Sequence, residues 1–282
     1  VQRRMKYLED SNIKIHLNTE IGKDIQFSDL QKKHNAVLIA TGVYKAREIS
    51  LEGDASKVIP ALDFLIASNR KGLGDNVEAF DSGLLNAKGK NVVVIGGGDT
   101  AMDCVRTAIR QEAKSVKCLY RRDKENMPGS AREVNNAEEE GVEFLWQSLP
   151  KKIESDNASN FLNCVKMKLS EPDSDGRRTP QEIAGSDFEL ETDLVIAALG
   201  FSPENLPKMF EVEELPVTKW GTVRVGFNTM MTSVEGVFAA GDIVRGASLV
   251  VWGIRDGRDV ANSIHSYIEE KNNAKNINTK AS

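Results

Sequence analysis

The 282-residue chain is predicted to be an α/β protein with two related parallel sheets and an antiparallel β-meander. Three observations predict this. Residues 90–122 read as strand, glycine turn, helix and second strand. A run of polar residue, apolar stretch, small residues and glycine occupies 35–42, returns at 193–200, and recurs more loosely at 236–242. Strand signals also follow one another from 142 to 191 with no helix between them, which is the mark of a meander.

Composition narrows the function classes. A hydrophobic fraction of 40% is enough for proper cores, and the length allows one large or two ordinary domains. The net charge of −5, with Lys and Arg spread along the chain, argues against nonspecific nucleic-acid binding. No apolar run reaches the roughly 18 residues of a membrane span. The N-terminus, Val1-Gln2-Arg3-Arg4-Met5-Lys6, has no apolar signal region and no initiator Met, so a fragment of a longer chain is expected. Cys104, Cys118 and Cys164 form no C-x-x-C, which removes a redox dithiol or a metal cluster built from this segment alone. They read as small buried hydrophobes, and a reducing cytoplasm is the expected compartment.

In chain order, residues 1–10 read as a helix end carrying Met5 and Leu8. Ile13, Ile15 and Leu17 alternate with Lys14, His16 and Asn18, a strand with one wet face that leaves His16 at the surface. Ser28 is expected to cap a short helix through Lys33. Residues 35–42 read as a buried strand ending in the small turn Thr41-Gly42. Pro60 is expected to start a helix through Ala67, and residues 70–90, with Gly72, Gly74, Gly83 and Gly89, read as loop.

Asn91-Val92-Val93-Val94-Ile95 is an unbroken β-branched run, as in a strand buried on both faces of a parallel sheet. Gly96-Gly97-Gly98-Asp99-Thr100-Ala101 follows at once and fits G-x-G-x-x-A. A helical pattern runs to about Gln111, and a strand from Val116 to Tyr120 comes next. A lone glycine motif is weak, but this one has a strand before it, a helix after it and a second strand about twenty residues on. Gly96 permits the tight turn, Gly98 lets backbone approach a pyrophosphate, and Ala101 allows close helix–strand packing. The helix N-terminus offers N–H groups and a positive dipole end to phosphate. A dinucleotide site is therefore expected.

The end of the second strand selects the dinucleotide. An NAD site commonly has Asp or Glu there to hold the ribose 2′-hydroxyl. This chain has Tyr120-Arg121-Arg122, with Asp123 one step later. Two guanidiniums suit a 2′-phosphate, so NADPH is the expected cofactor.

Met127-Pro128-Gly129 reads as a turn, and Ser130-Ala131-Arg132-Glu133 as a capping box whose helix ends at Gly141. Arg132 falls in that first turn, either solvated or turned to phosphate. Strand signals follow at 142–147, 151–155, 161–170 and 181–191, with a turn at Asp173-Ser174-Asp175-Gly176. Pro203 and Pro207 mark a second crossing, and a polar region runs to about Gly226. After the third small-residue pattern, a helical pattern covers about 249–268, and an Asn/Lys-rich tail from about Lys271 is expected to be disordered.

With these residues laid out, the chain resembles the small (β) subunits of NADPH-dependent glutamate synthases, which belong to the two-dinucleotide-binding-domain flavoprotein reductases. The resemblance rests on Val92 through Cys104, on Tyr120-Arg121-Arg122 to Asn126-Met127-Pro128-Gly129-Ser130, and on Gly241-Asp242 through Trp252 and Asp256-Gly257-Arg258. It implies two Rossmann-like domains, with an NADPH domain (59–202) inserted in an FAD domain (1–58 and 203–282). Thr41-Gly42 and Gly200 would lie where the chain passes between domains beside the cofactors. Asp242 matches an acidic residue near the FAD ribityl and pyrophosphate. Val251-Trp252 matches a helix start facing the flavin's pyrimidine ring, where a positive helix end favours negative charge on the reduced ring. The implied cofactor-binding set is thus Gly96, Gly97, Gly98, Asp99, Thr100, Ala101, Arg121, Arg122, Arg132, Gly200, Thr41, Gly42, Gly241, Asp242, Val251 and Trp252.

The resemblance implies hydride transfer from NADPH to FAD, with electrons passed through iron–sulfur centres to a large (α) subunit that makes L-glutamate from glutamine and 2-oxoglutarate. No catalytic acid, base or metal ligand is expected among these residues. The family's first G-x-G-x-x-G, which holds the FAD pyrophosphate, and its iron–sulfur cysteines are not found before Gly96. They are expected upstream, and these residues alone are expected to be inactive. Two other readings stay open. One is a related reductase serving another acceptor, of the ferredoxin or pyrimidine type. The other is a nucleotide-binding module with no redox step.

Overall fold

The computed structural model describes residues 2–155, 160–171 and 178–280. The expected turn at 173–176 lies outside the described residues. Contacts divide the chain into two units, one of residues 1–45 with 201–282, the other of residues 46–200.

The unit of residues 46–200 is built on a five-stranded parallel sheet. Its order is Val58–Pro60, Leu194–Ala197, Asn91–Ile95, Ser115–Tyr120, Glu143–Trp146. The apolar run at its centre is buried on both faces because side chains alternate across a strand. Val92 and Val94 enter the core beneath helices Ala61–Gly72, Asp99–Arg110 and Ala131–Glu139. Val93 and Ile95 point the other way, into a core shared with the meander residues Ile153, Leu162, Cys164 and Leu190. Each fully buried side chain of this size contributes about 1.5–3 kcal/mol. A substitution in this strand therefore loses packing whichever face it touches.

The meander, Ser148–Ser155, Asn160–Leu169 and Pro180–Thr192, is antiparallel. It carries two register shifts, one at Pro150/Lys152 and one at Glu182/Asp187. The expected strand at 142–147 is not part of it. Glu143–Trp146 pairs in parallel with Ser115–Tyr120 as the edge of the main sheet. Helix Ala131–Glu139 supplies the crossover that a parallel pair requires.

In the other unit, Val37–Ile39 pairs in parallel with Val237–Ala239. Two of the three small-residue patterns are thus sheet neighbours, while the copy at 193–200 lies in the five-stranded sheet. One core joins Ile39, Val237 and Ala239 to Phe27 and Phe210, whose rings stack at 4.9 Å. On the opposite side, Phe238 meets Val260 and Tyr267 of the long helix Val250–Lys280.

Several local expectations are corrected. Residues 13–17 form no strand; Leu17 is 77% exposed, and no neighbouring strand pairs with the segment among the described residues. The short helix is Phe27–Lys33 with Gln26, not Ser28, at its N-cap, because Phe27 is drawn into the core. The stretch 70–90 is not all loop: the third helix continues to Gly72, and Glu78–Asp81 makes one helical turn. The tail from Lys271 is helical to Lys280 rather than disordered. It contains no Gly or Pro, and Lys271 is anchored to Glu235 at 3.2 Å and to the Tyr267 hydroxyl at 2.9 Å.

The capping box at Ser130 and Glu133 is also absent, since Ser130 makes no side-chain cap bond. Glu133 is drawn instead to Arg106, which is 19% exposed and donates its Nε to Glu140 at 2.9 Å. One guanidinium therefore ties helix Asp99–Arg110 to both ends of helix Ala131–Glu139. Hydrogen bonding from Arg106 holds the Glu140 carboxyl below its ordinary value of 4.5. A depressed carboxylate stabilises the fold above its unfolded pKa, and that gain is lost as pH falls through the folded value. Glu140→Gln is thus expected to lower Tm at pH 7, with the gap from the unmodified chain closing below pH 4.5 in a pH series of melts.

Candidate dinucleotide-binding site

The C-terminal ends of strands Asn91–Ile95, Ser115–Tyr120 and Leu194–Ala197 open on one cleft of about 940 Å³. This is the edge at which parallel α/β sheets bind ligands. Gly96, Gly97, Gly98, Thr100, Arg121, Arg122 and Gly200 all line it.

The three glycines have different physical reasons. Gly96 has φ +148°, and a Cβ there would stand 2.2 Å from the Ala198 carbonyl oxygen. A Cβ on Gly97 would stand 2.4 Å from the Tyr120 ring. Gly98 is at φ −91°, and nothing lies within 4 Å of where its Cβ would be. The first two glycines let the loop fold down onto the sheet. The third leaves clear space above the backbone.

Helix Asp99–Arg110 begins at this loop, its first ladder bond running from the Met102 N–H to the Gly98 carbonyl. The Ala101 N–H closes on the same carbonyl at 2.9 Å, so the N–H groups of Asp99 and Thr100 lead the helix at its positive dipole end. Ala101 is fully buried, allowing the helix to sit close on the sheet. Asp99 does not line the cleft; its Oδ1 accepts the Ser130 N–H at 2.8 Å. Gly129 donates its N–H to the Gly97 carbonyl at 2.9 Å. The end of the turn at Gly129 and Ser130 is therefore strapped to the glycine loop by two successive N–H groups, and its Pro128 joins the cleft wall.

Tyr120 positions the arginines. Its ring lies beneath Gly97 and meets Trp146 edge-on at 6.4 Å, and its hydroxyl donates to the Asn126 carbonyl at 2.9 Å. Arg121 and Arg122 then leave the strand at the cleft. The Nε of Arg122 is buried with no hydrogen-bond partner among the described residues. A buried donor without a partner costs on the order of 1–3 kcal/mol, which an anionic ligand would relieve. Arg132 is exposed in the first turn of its helix and does not line the cleft.

The remaining expected residues belong to the unit of residues 1–45 and 201–282. Gly42 (φ +70°) follows strand Val37–Ile39 with Thr41 exposed before it, and Gly241 (φ +77°) precedes Asp242 at the start of a one-turn helix. Val251 and Trp252 lie exposed in the first turn of helix Val250–Lys280. Asp256, 3% exposed, accepts the Arg245 Nε at 2.5 Å, and the Arg245 guanidinium lies 5.1 Å from the Trp252 ring centre. Those hydrogen bonds from Arg245 hold the Asp256 carboxyl below the usual carboxylate range.

Sequence reasoning missed the wall formed by 47–52 and by Ser148, Leu149, Pro150 and Lys151. These residues follow no motif. One signal was present: Pro150, just ahead of the expected strand at 151–155, is a residue that sheets hold only at a strand start, an edge or a bulge. The cysteines stay out of the chemistry. All three are buried and free, and burial pushes the Cys118 thiol up to about 12.

Residues 5–257 match the model of the family described as pyridine nucleotide-disulphide oxidoreductase. A glutamate synthase [NADPH] small chain of Azospirillum brasilense is 58% identical over 272 residues, covering 96% of this chain and 56% of that one. A putative glutamate synthase [NADPH] small chain of Cereibacter sphaeroides is 56% identical, covering 96% of this chain and 65% of that one. The chain thus spans little more than half to two thirds of these relatives. FprA of Mycobacterium tuberculosis, solved in complex with NADPH, superposes with a TM-score of 0.74 at 18% identity, over 98% of this chain and 72% of that one. At that identity the likeness speaks for the fold alone. With the glycine loop, the helix behind it and the sheet edge already described, the chain belongs to the pyridine nucleotide-disulphide oxidoreductase family.

Proposed function

We propose that the unit of residues 46–200 binds NADPH, and that the chain is the greater part of a glutamate synthase small subunit. The observation that carries the NADPH reading is the Cβ-free approach at Gly98 facing a strand end with two arginines, one holding an unpartnered buried Nε. The glycine loop and the start of helix Asp99–Arg110 would hold the pyrophosphate. Arg121 and Arg122 would hold the 2′-phosphate, and the small residues Ala198 and Gly200 would leave room for the nicotinamide. In the other unit, the open backbone at Gly241, the Asp242 carboxylate and the first turn of helix Val250–Lys280 fit the ribityl and ring end of FAD.

When bound, NADPH supplies a hydride and FAD accepts it. The chain's own work is binding and orientation, and no side chain is assigned a proton. The two curated relatives support the wider reading, in which electrons pass through iron–sulfur centres to a large subunit that makes L-glutamate from glutamine and 2-oxoglutarate. The three free cysteines fit a reducing cytoplasm. No described helix is long and apolar enough to cross a membrane.

Two measurements test the reading. Titration with NADPH and NADH is expected to show a preference for NADPH, and Arg122→Ala or Arg121→Ala to weaken NADPH roughly ten- to a hundredfold while barely changing NADH. Equal affinities for the two, or unchanged mutants, would remove the phosphate assignment. Gly98→Ala is expected to leave Tm unchanged, since open space surrounds its Cβ, yet to weaken NADPH by blocking the pyrophosphate. Gly97→Ala is expected to lower Tm itself, because its Cβ meets the Tyr120 ring.

A further inference from the structure

Lys151 reaches the cleft through a fault in the meander. Strand Ser148–Ser155 pairs with Asn160–Leu169 as Pro150↔Cys164 and then Lys152↔Asn163. Lys151 is therefore the extra, unpaired residue of a bulge. Bulges re-aim a side chain at the cost of a ladder bond, and they recur beside active sites. Here the bulged residue lines the same cleft as Arg121 and Arg122.

Its partner comes from a strand that is not its neighbour. Lys151 Nζ lies 2.7 Å from Glu182 Oε1, and the strand Asn160–Leu169 runs between the two parent strands. Glu182 pairs with Met167 just before the second register shift. Glu182 also lines a smaller hollow of about 370 Å³ whose other walls include Arg121, Arg122 and Leu149, all three shared with the main cleft. One hollow thus brings together two arginines and an acid, and that acid holds a third cation. The pair is 45% and 46% exposed, so Lys151 can leave Glu182 cheaply.

We propose that Lys151 is a third phosphate-binding cation and a specificity determinant of this cleft, with Glu182 competing against the phosphate for the lysine. This rests on the 2′-phosphate reading of Arg121 and Arg122. Without a ligand, Glu182 holds Lys151 across the middle strand. A 2′-phosphate seated at Arg121 and Arg122 carries more negative charge than a carboxylate and draws Lys151 to itself. The affinity for the phosphate is then set by the difference between two partners of one lysine.

The probes are 2′,5′-ADP and 5′-AMP, titrated calorimetrically at fixed salt. Their affinity ratio isolates the 2′-phosphate. Lys151→Ala is expected to lower that ratio about three- to fivefold, and Lys151→Arg to restore most of it. Glu182→Gln is expected to raise the ratio by a similar factor, and to do so only while Lys151 is present. A ratio unchanged in Lys151→Ala overturns the proposal. So does a Glu182→Gln gain that survives in the Lys151→Ala background, which would show simple repulsion between Glu182 and the ligand. If the unmodified chain shows no preference for 2′,5′-ADP, the 2′-phosphate reading fails and takes this proposal with it.

Discussion

The candidate site depends on how closely one loop approaches the sheet beneath it. At Gly96 the backbone comes so near the Ala198 carbonyl that no side chain fits, and at Gly97 it rests on the Tyr120 ring. Those contacts fix where helix Asp99–Arg110 begins and therefore where its positive end points. They also couple three strands: the loop leaves one, Ala198 follows a second and Tyr120 ends the third. The arginines inherit their place from Tyr120, whose ring and hydroxyl are both held. The geometry of the candidate phosphate site is thus a consequence of backbone packing, and charge is added to a shape already set.

Support for that shape comes from both faces of the sheet. Helices cover one face, and Arg106 links two of them through Glu133 and Glu140. The meander covers the other face and does more than shield the core. Its bulge at Lys151 turns a residue from the sheet's covering layer toward the cleft. A layer whose role is burial thereby also lines the candidate site, at the expense of regular pairing at one position.

How much of this was legible depended on whether the cause was local. The strand, glycine loop and helix of residues 90–111 were readable because their determinants are contiguous: β-branched residues, Cβ-free turns and an amphipathic helix. Leu194–Ala197 was readable as a strand, but its place beside Asn91–Ile95 follows from a long-range pairing. The capping box was misread because Arg106, far away in sequence, competes for Glu133. The segment 13–17 was misread because alternation shows which residues a strand would bury without showing that a partner strand exists. Lys151 was invisible because a bulge is a property of two strands in register, and only Pro150 hinted at it. Gly97 was assigned no role of its own in the sequence, although its contact with Tyr120 is among the tightest in the loop.

The most direct test is a crystal structure of the chain with NADP⁺ bound. The pyrophosphate is expected over the Gly98 backbone at the start of helix Asp99–Arg110, with the 2′-phosphate against Arg121 and Arg122. A pyrophosphate seated away from the glycine loop, or a 2′-phosphate turned to solvent, would contradict this placement.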